Sequence, residues 1–131
     1  MIELFYSQTP NGRKVSIMLE ETKINYKITY IDLNKGEQFK PEFLKLNPYG
    51  KIPVIIDHEK NLVLIESGAI LIYLAKKSKQ FLPQENETKI FEWLMFQMGN
   101  VGPMFGQHHH FHHFNPGKNK YTEDRFLKKF H

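Results

Sequence analysis

The stretch Asn47-Pro-Tyr-Gly-Lys-Ile-Pro-Val-Ile-Ile-Asp57, continued by Leu62-Val-Leu-Ile-Glu-Ser-Gly-Ala-Ile-Leu-Ile-Tyr-Leu-Ala75, decides how the rest of the chain is read. Val54 to Ile56 and Leu62 to Ile65 are short apolar runs rich in β-branched residues. The polar His58-Glu-Lys-Asn61 between them predicts a hairpin. A helical run starts directly after Glu66-Ser67-Gly68, and Ser67 is its expected N-cap because a serine hydroxyl accepts a hydrogen bond from a first-turn N–H. Apolar residues at every position from 69 to 75 leave no wet face before Lys76 and Lys77, which predicts a largely buried helix.

The same stretch carries the outline of a site. Pro53 opens a strand, where proline is tolerated, and the Ile52-Pro53 bond is expected to be cis, with the Ile52 N–H and C=O turned outward toward an extended peptide. The free N–H groups of a helix start at Ser67 suit an anion, and Glu66 beside it suits an ammonium. An ammonium and a carboxylate on one carbon, followed by a peptide backbone, is the outline of a γ-glutamyl peptide.

On the N-terminal side, Ile2 to Tyr6 reads as a strand and ends in the turn formers Ser7-Gln-Thr-Pro-Asn-Gly12. Val15, Met18 and Leu19 recur at helical spacing, with Asn11 as the expected N-cap. Tyr26 to Ile31 reads as a strand, and Pro41 to Leu46 as a short helix with proline in its first turn. The element order is βαβ and then ββα after the short helix, with helices expected on both faces of a mixed sheet: an α/β, thioredoxin-like domain over residues 1–82. On the C-terminal side, Gln80 to Asn86 has linker composition. Ile90, Phe91, Leu94, Met95 and Met98 then form an amphipathic helical stripe, which Gly99-Asn-Val-Gly-Pro103 should kink or break. A further helix is expected from near Tyr121. Residues 83–131 are read as the start of an all-α domain, incomplete because a second domain usually takes ~100 residues.

Composition narrows the function classes. A net charge of +4 is modest, and the basic residues, thickest at Lys76 to Lys79 and Lys118 to Lys129, are expected to form a solvated face, so nucleic acid is not expected as a partner. No apolar run approaches the ~20 residues of a membrane span, and no secretory signal is visible, so the expected location is cytoplasmic. The chain has no cysteine, which removes disulfides, thiolate metal sites and a thiol nucleophile of its own. Any thiol chemistry must use a thiol that the ligand brings. His108, His109, His110, His112 and His113 invite a metal reading through the pairs 108/112 and 109/113, but no carboxylate or cysteine lies near them in sequence. No metal is expected.

Lys51-Ile52-Pro53 with Glu66-Ser67-Gly68-Ala69-Ile70 and Tyr73-Leu74 closely resembles the glutathione site of the glutathione transferase family. Thr9-Pro-Asn-Gly12, Gln38-Phe-Lys-Pro-Glu-Phe43 and Trp93 through Phe111 look like its Nu-class, Ure-like subgroup, and the resemblance covers essentially all 131 residues. It implies a homodimer that uses glutathione as cosubstrate to reduce a disulfide or peroxide, or to conjugate an electrophile. Carried over by position, it implies Thr9 and Asn11 beside the glutathione sulfur, Gln38 and Lys51 at the glycyl end, and Ile52 on the cysteinyl backbone. Glu66 and Ser67 would hold the γ-glutamyl end, and Arg125 would reach the ligand from the second domain. Tyr6 stays open as an alternative thiol-activating group, since many relatives use an N-terminal tyrosine. A catalytically weak glutathione-binding or dimerising remnant stays open beside the enzyme.

Overall fold

The structure, a computed structural model, describes residues 1–127, so the end of the basic run at Lys128 and Lys129 lies outside the described residues. The chain divides into two units, the first over Met1–Gln84 and the second from Glu85 onward.

The first unit runs β1 (Ile2–Tyr6), α1 (Pro10–Thr22), β2 (Tyr26–Tyr30), α2 (Pro41–Leu44), β3 (Val54–Asp57), β4 (Leu62–Ile65) and α3 (Ser67–Ser78), with 3₁₀ turns at Leu33–Lys35 and Glu37–Phe39. The four strands form one sheet in the order β2-β1-β3-β4. β1 pairs parallel to β2 with Ile2 opposite Tyr26, and antiparallel to β3 with Ile2 opposite Asp57. The mixed sheet with helices on two faces is the thioredoxin-like arrangement.

Alternation along β1 feeds two cores. Ile2 and Leu4 face Val15 and Leu19 of α1, Ile55 of β3, and Ile70 and Leu74 of α3, and all seven are fully buried. Removing each of these side chains from water stabilises the fold by about 1.5–3 kcal/mol. Phe5, on the other face, joins Ile31, Val54 and Phe43 of α2 in a smaller cluster, with the Phe5 and Phe43 rings edge to face at 6.1 Å.

Both expected caps shift by a residue or two. Thr9, not Asn11, caps α1: its Oγ1 accepts from the Gly12 N–H at 3.2 Å, and Pro10 takes the first helical position with its fixed φ. Ser67 is the first residue of α3, and the cap position falls on Glu66 at φ 68°, ψ 111°, whose side chain makes no capping bond. The helix α3 is also less enclosed than its apolar run suggests. Ala69 is exposed and Leu71, Ile72 and Tyr73 are half-buried, because only one face meets α1 and the sheet.

In the second unit, α4 (Glu87–Phe96) continues through π-helical Gln97–Val101 into α5 (Gly102–His109) and π-helical His110–Phe114, and α6 (Lys120–Leu127) follows. At the expected kink or break over Gly99–Pro103 the α-helical pattern is interrupted by the π-helical segment, but the chain stays helical through it. The wider π turn absorbs the proline, whose missing N–H falls at the start of α5. None of these helical segments contains a buried residue, and Trp93, Met95, Phe96 and Phe105 are each about half exposed or more.

Candidate functional site

The site is built where the C-terminal end of β1, the start of α1, the loop into β3 and the start of α3 meet. Glycine makes the first junction possible. A Cβ on Gly12 would run into the Ser7 carbonyl oxygen and lie 3.1 Å from two Tyr6 ring atoms, so α1 starts this close to β1 only with glycine there. The Thr9 N–H donates to the Ser7 carbonyl at 2.7 Å and the Arg13 N–H to the Thr9 carbonyl at 2.9 Å, which fixes the first turn. Asn11 is exposed on that turn, at the positive end of the helix dipole, and α1 carries no acidic residue in its first turn.

The loop before β3 is held from within. Asn47, almost fully buried, donates through Nδ2 to the Lys51 carbonyl at 2.8 Å and accepts the Tyr49 N–H on Oδ1 at 3.0 Å. Gly50 turns at φ 60°, where a Cβ would meet the Phe39 ring at 2.9 Å. The Ile52-Pro53 bond is cis, and neither backbone polar group of Ile52 is hydrogen-bonded among the described residues.

Glu66 holds a left-handed backbone conformation, a state that costs about 1–3 kcal/mol for a residue with a side chain and persists only where the surroundings impose it. Its carbonyl accepts the Ile70 N–H at 2.9 Å, so its backbone stays in register with the helix, while its side chain makes no capping bond. Ser67 is buried at the first turn. Partial burial holds the Lys14 ammonium below the ordinary lysine range, and the Glu66 charge partly offsets this.

Asn11, Asn47, Lys51, Ile52, Pro53, Glu66 and Ser67 line one cavity of about 140 Å³. Thr9, Asn11, Leu33, Gln38, Phe39, Gly50, Lys51 and Ile52 line an adjoining one of about 220 Å³. Asn11, Lys51 and Ile52 belong to both, so seven of the eight residues expected from sequence line two cavities with a shared wall. Gln38 Oε1 is buried without a hydrogen bond among the described residues, leaving that amide uncommitted within the protein. The eighth, Arg125, is exposed on α6 in the second unit. Tyr6 lines neither cavity; it packs on the main core beside Gly12.

Pro53, part of the sequence motif, and Asn47, Gly50, Leu33 and Phe39, which sequence reasoning does not single out, complete the walls. Asn47-Pro-Tyr-Gly50 carried a turn signal, and that could have pointed to the loop. Nothing local marks Phe39, which reaches the cavity through the turn at Glu37–Phe39.

In the second unit, the His109 and His113 rings stack at 4.7 Å and those of His108 and His112 lie at 4.4 Å. His112 Nε2 is 2.9 Å from the Glu123 carbonyl and so acts as a donor there. No group of three or more His, Cys, Asp or Glu residues among those described could hold a metal ion, and no helix among them is long and apolar enough to cross a membrane.

Residues 3–76 match the model of the glutathione S-transferase N-terminal domain. The disulfide-bond oxidoreductase YfcG of Escherichia coli (strain K12) is 45% identical over 133 residues, covering 96% of this chain and 62% of that relative. A glutathione transferase of Burkholderia graminis, solved with two glutathione molecules bound per subunit, superposes with a TM-score of 0.92 at 46% identity, over 98% of this chain and 57% of that one. One from Pseudomonas putida, with one glutathione disulfide bound per subunit, superposes with a TM-score of 0.91 at 44% identity, over 98% of this chain and 59% of that one. The chain thus spans about three-fifths of the length of these relatives.

Proposed function

The chain belongs to the glutathione S-transferase family, and from that premise we propose that its first unit binds glutathione along the two adjoining cavities and uses the bound thiol to reduce a disulfide. The observation that carries the reading is the convergence of Asn11, Lys51, Ile52, Glu66 and Ser67 on one cavity from three separate segments. Their chemistry fits the tripeptide group by group. Glu66 takes the γ-glutamyl ammonium, and Ser67 with the helix start takes the carboxylate on the same carbon. The unpaired backbone of Ile52 takes the cysteinyl peptide, and Lys51 and Gln38 take the glycyl carboxylate. Thr9 and Asn11, at the positive end of α1, then stand where the thiol comes to rest, and a helix N-terminus lowers a thiol pKa.

A chain without cysteine cannot hold the electron pair that a disulfide needs, so the donors are two glutathione thiols that leave as glutathione disulfide. The relatives solved with two glutathiones or one glutathione disulfide per subunit support this pairing. A peroxide or an electrophile is the alternative second substrate, and Arg125 is the proposed contact from the second unit. That unit, without a buried residue in its described helical segments, supports a homodimer in which a partner covers Trp93, Met95 and Phe96. The cytoplasm, where glutathione is kept reduced, is the proposed location.

The test is calorimetric titration of the chain with glutathione, followed by a disulfide-reduction assay on the same sample with a small model disulfide. Saturable binding with turnover supports the enzyme. Binding without turnover favours a non-catalytic glutathione-binding module, and absence of binding refutes the reading.

A further inference from the structure

Asn11-Gly12 is the one Asn-Gly pair in the sequence, and the structure puts it on the wall shared by both cavities. Asn-Gly is the dipeptide most prone to spontaneous deamidation, because a glycine without a Cβ leaves its backbone nitrogen open to the preceding side chain. The Gly12 nitrogen attacks Asn11 Cγ, a C–N bond forms, and the Cγ–Nδ2 bond breaks with loss of ammonia. Water then opens the succinimide at either carbonyl, leaving aspartate or isoaspartate. The balance is one water consumed and one ammonia released, with no oxidant or reductant.

Three features set the rate here. Asn11 is exposed, so its side chain is accessible to water. Gly12 cannot be exchanged for a protective bulky residue without collision with Ser7 and Tyr6, so the fold enforces the liability. The attacking nitrogen lies in the first turn of α1, where no carbonyl four residues earlier reaches it. It donates instead to Thr9 Oγ1 at 3.2 Å. That one side-chain bond, together with the helical backbone, keeps it from Cγ.

We propose that Asn11 is a deamidation site whose rate is set by the Thr9 cap, and that its conversion puts a carboxylate where the cleft now presents a neutral amide. The fold does not oppose the aspartate product, since a negative charge in a helix first turn is favourable and α1 has none there. The modification does not depend on the glutathione reading. Its consequence does: a carboxylate beside the sulfur repels a thiolate and weakens the bound anion.

The experiment is incubation of the full chain at mildly alkaline pH, with peptide mapping for aspartate and isoaspartate, on the wild type, Thr9→Val and Asn11→Gln. Asn11 is expected to convert before any other asparagine. Thr9→Val is expected to convert it about fivefold faster, the factor that matches a lost N-cap, and the two chains should react equally fast in urea. Earlier conversion at another asparagine, or equal native rates for wild type and Thr9→Val, overturns the proposal. Should Thr9→Val fail to fold by circular dichroism, the wild type decides alone: a native rate as high as its rate in urea overturns it. The deamidated form, separated by ion exchange, is expected to bind glutathione more weakly. Equal affinity with Asn11 converted would refute the placement of the thiol at Asn11 and leave the modification standing.

Discussion

Tyr73→Phe removes one oxygen from beside the most enclosed charge among the described residues. Asp57 ends β3 with no exposure, and three donors reach it: the Tyr73 hydroxyl at 2.5 Å, Lys77 Nζ at 2.9 Å and the Glu59 N–H at 3.0 Å. Burial alone would raise its pKa. The bonds from Tyr73, Lys77 and Glu59 and the Lys77 charge outweigh it and hold the carboxyl at about 2, below the ordinary 3.8. The same pairing pushes the Tyr73 hydroxyl up to about 12 and raises Lys77 above its usual range. A hydrogen bond to a charged acceptor contributes about 1.5–3 kcal/mol. Asp57 keeps two partners in the variant, so the loss should fall near ~2 kcal/mol rather than the larger cost of an orphaned buried charge. The pH dependence follows from the depressed pKa. The Asp57 contribution is fully present above the ordinary 3.8 and is lost as pH falls through about 2. Tyr73→Phe brings the folded pKa back toward 3.8, so the acid loss should begin at higher pH. Urea unfolding by circular dichroism, at neutral pH and along the acid limb, measures both effects. Asp57 sits at the end of β3 away from Pro53, so glutathione affinity should not change. A neutral-pH difference below about 0.5 kcal/mol, the level of an ordinary surface substitution, together with an unmoved acid limb, would refute the reasoning.

Ser67→Ala should weaken glutathione binding by about 1–3 kcal/mol through the lost bond to a carboxylate, read by calorimetry; equal affinities would place that carboxylate elsewhere. Asn11→Ala should raise the pKa of the bound thiol and slow disulfide reduction at neutral pH, whereas Tyr6→Phe should leave the pH–rate profile in place, since Tyr6 lines neither cavity. The opposite ranking would return the role to Tyr6. Gly50→Ala forces a side chain into a left-handed position against the Phe39 ring and should cost about 1–2 kcal/mol of stability in urea, with weaker glutathione binding because both residues line the cavity. Unchanged stability would show that the loop relaxes freely.

The hairpin was legible because two β-branched runs flank a polar turn, and a local pattern of that kind survives any tertiary context. The caps were not. Thr9 and Asn11 are both good cap residues, and only the register of Pro10 in the first helical position decides between them. Ser67 looked like a cap for the same reason, and what displaced it is the left-handed Glu66, a conformation that sequence propensity assigns to glycine or asparagine. The run from 69 to 75 has the same composition on the face meeting α1 and on the face that is half-exposed, so periodicity could not say how far the helix is covered. Gly99–Pro103 signals a local interruption of an α-helix, and the form it takes, a π turn that keeps the chain helical, is not written in the glycine and proline pattern. The residues that carry charge in the candidate site were visible as a motif, while Asn47, Gly50 and Phe39 act through contacts that form only once the loop closes on itself.

The pairing of β1 also dictates an order of events during synthesis. β1 is the first of the four sheet strands to be made, yet it lies inside the sheet, between β2 and β3. Its parallel partner follows after one helix, but Ile2 meets Asp57 only once the chain has grown through β3. Until then Ile2 and Leu4, fully buried in the finished protein, have half a sheet to pair with. Contacts so distant in sequence close slowly, and an unpaired strand edge invites association with other chains in the meantime. A nascent chain stalled short of the hairpin is therefore the species a chaperone would be expected to hold, and slowed translation across residues 30–57 is where aggregation should rise.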